Sequence, residues 1–159
     1  MKEQTNHKKD YHKQNHQCPF TTTDIIIEYN DGSRNGIILV TRKNPPYGLA
    51  VPGGFAELGL TLEENAKKEA KEETGLEIII ENPEKPLCVH SHPNRDPRGH
   101  MISNTYIARG YGTLRAGDDA KTARLYTINE VKGLIQQEKL VFDHARILEK
   151  YLRHKGYYK

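Results

Sequence analysis

The 159-residue chain reads as an α/β fold, an α/β/α sandwich built on a mixed, curved sheet. Three observations predict it. β-branched runs at 24–29, 36–42 and 77–81 have strand character, a strongly marked helix over 62–74 stands between them, and a second helical pattern covers 144–154. Strands on both sides of a helix, with a closing helix, give a sheet covered by the first helix on one face and the last on the other.

A chain of this length is one domain by prior and would bury about two-thirds of its unfolded surface. The net charge of +3 is dispersed along the chain and gives no argument for nucleic-acid binding. No apolar run approaches the roughly 18–20 residues of a membrane span, and the N-terminus has no apolar signal core. Cys18 and Cys88 have neither metal-site spacing nor the density of a disulfide framework. The expectation is a cytoplasmic protein with no nucleic-acid or membrane partner.

Taken in order, residues 1–17 contain no aliphatic residue after Met1, which predicts a mobile polar tail over 1–19 ahead of a single domain over 20–159. His7, His12 and His16 in such a tail are more simply solvated than metal-bound. Asp24–Tyr29 is a strand, Asn30-Asp31-Gly32 a turn and Gly36–Arg42 the returning strand. Asn44-Pro45-Pro46 breaks the chain, and Tyr47–Val51 is a short strand leading into a Gly53-Gly54 loop.

The helix over 62–74 is bounded by chemistry at both ends. Thr61 stands three residues before Glu64, a capping-box pattern, and Gly75 can take the left-handed conformation that ends a helix. Winding it at roughly 100° per residue puts Leu62, Ala66 and Ala70 on one core-facing stripe. Glu63, Glu64, Lys67, Lys68, Lys71 and Glu72 fall on the flanks and far side, but Glu69 and Glu73 land inside the apolar stripe. Inward carboxylates cost several kcal/mol unless paired or metal-bound. Two of them four residues apart also repel. A divalent cation answers both problems, and hard oxygen ligands suit Mg²⁺ or Mn²⁺. An ordinary Lys/Glu-rich surface helix is the competing reading, and the two glycines just ahead tilt the balance, since they admit a metal or phosphate close to the backbone.

After this helix, 77–81 is a strand, Asn82-Pro83 a turn, and 87–90 another strand. The segment 91–100 is a turn-rich loop carrying Arg95 and Arg98, whose planar forks suit phosphate oxygens; left to themselves they would pair with Asp96 or water. A strand over 100–108 follows, then the acidic loop 116–120 before a strand at 123–127. That loop is either an Asp-rich turn or the source of one more site carboxylate. Helices over 128–136 and 144–154 close the chain. Ile147, Leu148, Tyr151 and Leu152 repeat at helical spacing as core contacts, and His144 at the helix start reads as structural.

Gly54 followed by Lys68-Glu69-Ala70-Lys71-Glu72-Glu73-Thr74-Gly75-Leu76 resembles the Nudix box, G-x5-E-x7-R-E-U-x-E-E-x-G-U, and 42–55 resembles the approach to it. The resemblance covers about 20–153 and implies a Nudix-type α/β/α sandwich that hydrolyses a nucleoside diphosphate linked to another group. It implies that Glu69, Glu72, Glu73 and the carbonyl of Gly53 bind Mg²⁺ or Mn²⁺. Glu72, Glu73 and a downstream carboxylate, Asp119 ahead of Asp118, become the catalytic candidates. Two box positions depart from the pattern: the loop glutamate is Leu60 and the box arginine is Lys68. These two residues usually brace the loop against the helix, a role that falls here to Glu57 or Glu64.

Pro93, sixteen residues beyond Leu76, and the string HPNRDPRGHMIS resemble the ADP-ribose pyrophosphatase subgroup; the SQPWPFPxS signature of the NADH-cleaving subgroup is absent. The implied substrate-binding residues are Arg42, Phe55, Pro93, Arg95 and Arg98, with Phe55 or Tyr47 to stack on adenine. The implied partner is a small nucleotide diphosphate, cleaved to AMP and ribose 5-phosphate, and the subgroup is often a homodimer. Rival readings are a pyrophosphohydrolase for a nucleoside triphosphate or a dinucleotide, and a nucleotide-binding module without catalysis.

Overall fold

The computed structural model describes residues 18–116 and 120–158. The predicted tail, with His7, His12 and His16, and the candidates Asp118 and Asp119 lie outside the described residues. Eight strands among them form one mixed sheet: β1 (Phe20–Asn30), β2 (Asn35–Arg42), β3 (Leu49–Ala50), β4 (Gly53–Phe55), β5 (Glu77–Ile80), β6 (Cys88–His90), β7 (Met101–Tyr111) and β8 (Ala120–Tyr126). Helix α1 (Leu62–Thr74) follows β4, α2 (Ile128–Gln136) follows β8, and α3 (His144–His154) comes last. All three helices have the bounds expected from the sequence.

β1 is the axis of the sheet. It pairs in parallel with β7 from Phe20 through Glu28, while its other edge pairs antiparallel with β2 only near the hairpin, Glu28–Asn30 against Asn35–Ile37. Beyond that point β1 and β2 part, and the chain from Leu49 to Phe55 fills the opening. β3 pairs with β2 through Val40 and Thr41, and β4 pairs with β1 through Thr22–Asp24. Pro52 O accepts from Ile25 N at 2.8 Å, and Ala56 N donates to Thr21 O at 2.9 Å. The Gly53-Gly54 segment, expected as a loop, is therefore a strand, fixed by backbone bonds that three glycine-containing residues cannot announce. β1 likewise begins four residues before the expected Asp24, because Thr21–Thr23 is β-branched and paired on both edges.

The strand alternation builds two cores. Ile25, Ile27, Ile38, Leu76 and Tyr106 face α1, where Ala66 and Ala70 let the helix approach closely. Ile26, Ile37, Leu39 and Ile107 face the other way, onto Val131 of α2 and Ile147, Leu148, Tyr151 and Leu152 of α3. The α/β/α sandwich with one helix layer on each face is thus observed. Thr61 and Glu64 exchange both bonds of the capping box, and Gly75 closes α1 at φ 72°.

Leu148 is fully buried in the α3 core, whereas Leu58 is 99% exposed. Leu148→Ala should lower the unfolding free energy by about 2–5 kcal/mol, and Leu58→Ala should leave it within about 0.5 kcal/mol, both read by urea denaturation.

Candidate active site

Helix α1 turns its carboxylates toward the glycine strand. Glu73 is 9% exposed and accepts a hydrogen bond from Gly53 N at 2.9 Å. Glu69 lies against Gly54 so closely that a Cβ there would collide with the carboxylate. At Gly54 a side chain would displace the Glu69 carboxylate, whereas Gly53 is required by a φ of 157° and by the backbone of Thr23 and Asp24 behind it. Burial pushes the Glu73 carboxyl up to about 8; the Gly53 amide and Arg42 oppose this, and the charges of Glu69 and Asp24 add to it.

Glu72, named with them from the sequence, is exposed and faces elsewhere. Lys68 Nζ sits 2.8 Å from both Glu72 and Glu57. Glu57 thus supplies the brace between loop and helix that Leu60 cannot, while Glu64 serves the cap. A second brace comes from Asn65, buried in α1, which accepts from Glu57 N at 3.1 Å and donates to Thr23 Oγ1 at 2.9 Å. The sequence reading passed over Asn65; its signal was a polar residue beside the core stripe.

The wall opposite the carboxylates is cationic and aromatic. A cleft of about 390 Å³ lies between Glu69, Glu73 and Gly54 on one side and Arg42, Arg98 and Phe55 on the other. A small recess of about 50 Å³ continues inward to Asp24, Arg95, Asp96, Phe142 and His144. A larger cavity, about 560 Å³, opens at the far end of β1 among Tyr29, Arg109, Tyr111 and Tyr157, away from these carboxylates. Arg98 is held by Asp96, with Nη2 to Oδ2 at 2.7 Å, and this bond raises its pKa. Arg42 bonds to Pro46 O at 3.0 Å, and burial, then the charge of Arg98, lowers its pKa.

Arg95 is used differently from the expectation. Its fork grips Asp143, with Nε to Oδ2 at 3.0 Å and Nη2 to Oδ1 at 2.5 Å, and its side chain is only 4% exposed. Asp143 also bonds to His90 at 2.8 Å; burial pushes its carboxyl up, but Arg95 and His90 hold it below the ordinary value. A buried guanidinium with both arms on a carboxylate is not free for phosphate, so Arg95 fixes the 91–100 loop to the start of α3. Pro93 is exposed and lines neither part of the cleft, and Tyr47 is exposed outside it as well.

Asp24, which the strand pattern concealed, is 7% exposed at the floor of the recess and accepts from Ser103 Oγ. His144 accepts from Val51 N at 3.1 Å through Nδ1, so its proton sits on Nε2, 3.8 Å from Asp24. Burial keeps that imidazole neutral by lowering its pKa, and its role is structural, as its place at the helix start suggested.

The carboxylates test whether a divalent ion suits the site. A nearly buried Glu73 that accepts from the Gly53 amide, beside Glu69 and Asp24, presents hard oxygen donors of the kind that suit Mg²⁺ or Mn²⁺. Among the described residues no three His, Cys, Asp or Glu side chains already converge on one point, in keeping with Glu72 being held by Lys68.

The NUDIX domain family matches residues 19–151. The chain belongs to the NUDIX family. It is 44% identical over 141 residues to an ADP-ribose pyrophosphatase of Methanocaldococcus jannaschii, covering 87% of this chain and 76% of the relative. Among solved structures, a MutT/nudix family protein from Enterococcus faecalis superposes with TM-score 0.72 at 29% identity, over 93% of this chain and 67% of that one. A bifunctional NMN adenylyltransferase/ADP ribose pyrophosphatase from Francisella tularensis, complexed with AMP and a Mn ion, has TM-score 0.72 at 26% identity. That match covers 92% of this chain and 45% of the longer bifunctional one.

Two outcomes follow from this geometry. Glu73, raised from 4.5 to about 8, keeps its proton in the folded state over a window in which the unfolded chain has lost it. Without metal, stability should therefore fall as pH rises from about 4.5 to 8, by at most about 1.4 kcal/mol per pH unit. Glu73→Gln should flatten that slope in thermal melts, and Mg²⁺ or Mn²⁺ at pH 8 should restore the parent's stability. Arg95→Ala leaves Asp143 with His90 alone and should cost about 1–3 kcal/mol in denaturant titration, whereas an arginine that served only phosphate would leave stability unchanged.

Proposed function

We propose that this NUDIX chain hydrolyses the diphosphate of ADP-ribose to AMP and ribose 5-phosphate with the help of a divalent cation. The observation that carries the reading is the opposition, across one cleft, of Glu69 and Glu73 to the guanidinium groups of Arg42 and Arg98. A diphosphate needs cations on both sides, since its charge must be neutralised on the non-bridging oxygens and on the departing phosphate. The arginines supply one side. Glu69, Glu73 and the Gly53 carbonyl would hold the ion on the other, and Glu72 would join them on exchanging Lys68 for it. Held there, a divalent ion would supply charge neutralisation for the phosphate and a more acidic bound water.

The chain's own groups then divide the work. Arg98, fixed by Asp96, and Arg42, fixed by Pro46, orient the diphosphate. Phe55, 42% exposed at the cleft mouth, offers a face for the adenine ring. The proton of the attacking water would pass to a box glutamate freed of its own proton when the ion binds, Glu72 or Glu73, or to Asp119 of the 116–120 loop. The similarity to the M. jannaschii ADP-ribose pyrophosphatase supports this substrate over a nucleoside triphosphate or dinucleotide. A cytoplasmic setting and a homodimer remain parts of the same proposal; no helix among the described residues is long and apolar enough to cross a membrane.

AMP release from ADP-ribose with Mg²⁺ or Mn²⁺ tests the reading. The parent should turn over, and Glu73→Gln should lower kcat by at least about a hundredfold while ADP-ribose binding persists. A parent that binds ADP-ribose without cleaving it would establish a sensor module instead.

A further inference from the structure

Phe142 lines the recess behind the cleft and belongs to neither the box nor the subgroup signature. Its backbone has φ 55°, a left-handed conformation that a bulky side chain rarely adopts. The flanks impose it. Val141 N donates to Leu49 O at 2.9 Å, Asp143 is gripped by Arg95 and His90, and His144 accepts from Val51 N. With each neighbour tied to a different element, the Phe142 backbone has no freedom to relax, which is the condition under which such strain persists.

The enforced backbone delivers the ring to the recess behind the cleft. Arg42 Cζ lies 4.9 Å from its centroid and Arg98 Cζ lies 5.0 Å from it, while Arg98 is also 5.3 Å from the Phe55 ring. Two guanidinium groups this close repel each other, and Asp96 is bonded to only one of them. The negative face of an aromatic ring attracts both without neutralising either, so their charge stays available to an anion.

We propose that Phe142 is a positioning residue whose ring holds the guanidinium groups of Arg42 and Arg98 together as one diphosphate clamp. The inference deepens the ADP-ribose reading and rests on it for the identity of the anion.

Phe142→Gly removes the ring and places at a positive φ the residue that tolerates it, so the protein should fold with an equal or higher Tm. Phe142→Tyr retains the ring. In ¹⁵N–¹H spectra of the arginine Nε–H groups, the ring-current shift of Arg42 should vanish in Phe142→Gly and persist in Phe142→Tyr; Arg42 is the sharper reporter because Arg98 keeps Phe55. With Mg²⁺, KM for ADP-ribose should rise about tenfold in Phe142→Gly with kcat within about twofold, and Phe142→Tyr should match the parent. Unmoved arginine signals in the folded glycine variant overturn the proposal, as does a fall in kcat at constant KM. A parent inert toward ADP-ribose defeats the substrate reading instead, and the arginine signals then decide the positioning role by themselves.

Discussion

A carboxylate with one backbone amide as its donor, almost wholly enclosed between a helix and a strand, governs the organisation of this protein. Glu73 can occupy that position only if Gly53 brings its N–H to within 2.9 Å, and Gly53 can do so only because β4 is paired with β1. The parting of β1 and β2, the wedge of chain from Leu49 to Phe55 and the glycine contacts all follow from that arrangement. The energetic penalty of the enclosed charge is the reason its proton is held up to about pH 8.

Around this point the fold assembles charges in opposed layers. Helix α1 presents acid; the 91–100 loop and the end of β2 present guanidinium groups. The layers are held in place by ties between elements: Lys68 between Glu57 and Glu72, Asn65 between the loop and Thr23, and Arg95 on Asp143. The exposed Lys68 bridge is weak by itself, since solvent screens it. The buried ties through Asn65 and Arg95 bear the mechanical role. Replacement of the usual box pair by Leu60 and Lys68 is accommodated because Glu57 approaches Lys68 from three residues earlier in the loop.

The fold was legible because its signals are local. Helices α1 and α3 were marked by Thr61, Gly75 and the repeat of Ile147, Leu148, Tyr151 and Leu152, features that act within a few residues. The strands were marked by β-branched runs. β4 was not, because three residues of Gly-Gly-Phe have no periodicity, and only β1 makes them a strand. For the site, the inward turn of Glu69 and Glu73 was readable from helical geometry. The pairing of Arg95 was not, since its partner lies 48 residues away.

The sequence by itself determined the box helix, its paired carboxylates, the glycines ahead of it and the two-faced sandwich, because spacing along a helix or strand fixes which side a residue faces. Only the tertiary structure decided which charges neutralise one another. It sent Arg95 to Asp143 and Lys68 to Glu57, and it placed Asp24 and Phe142 in the recess. Charge pairing depends on distances between segments far apart in the chain, and those distances exist only once the sheet has set its strands side by side.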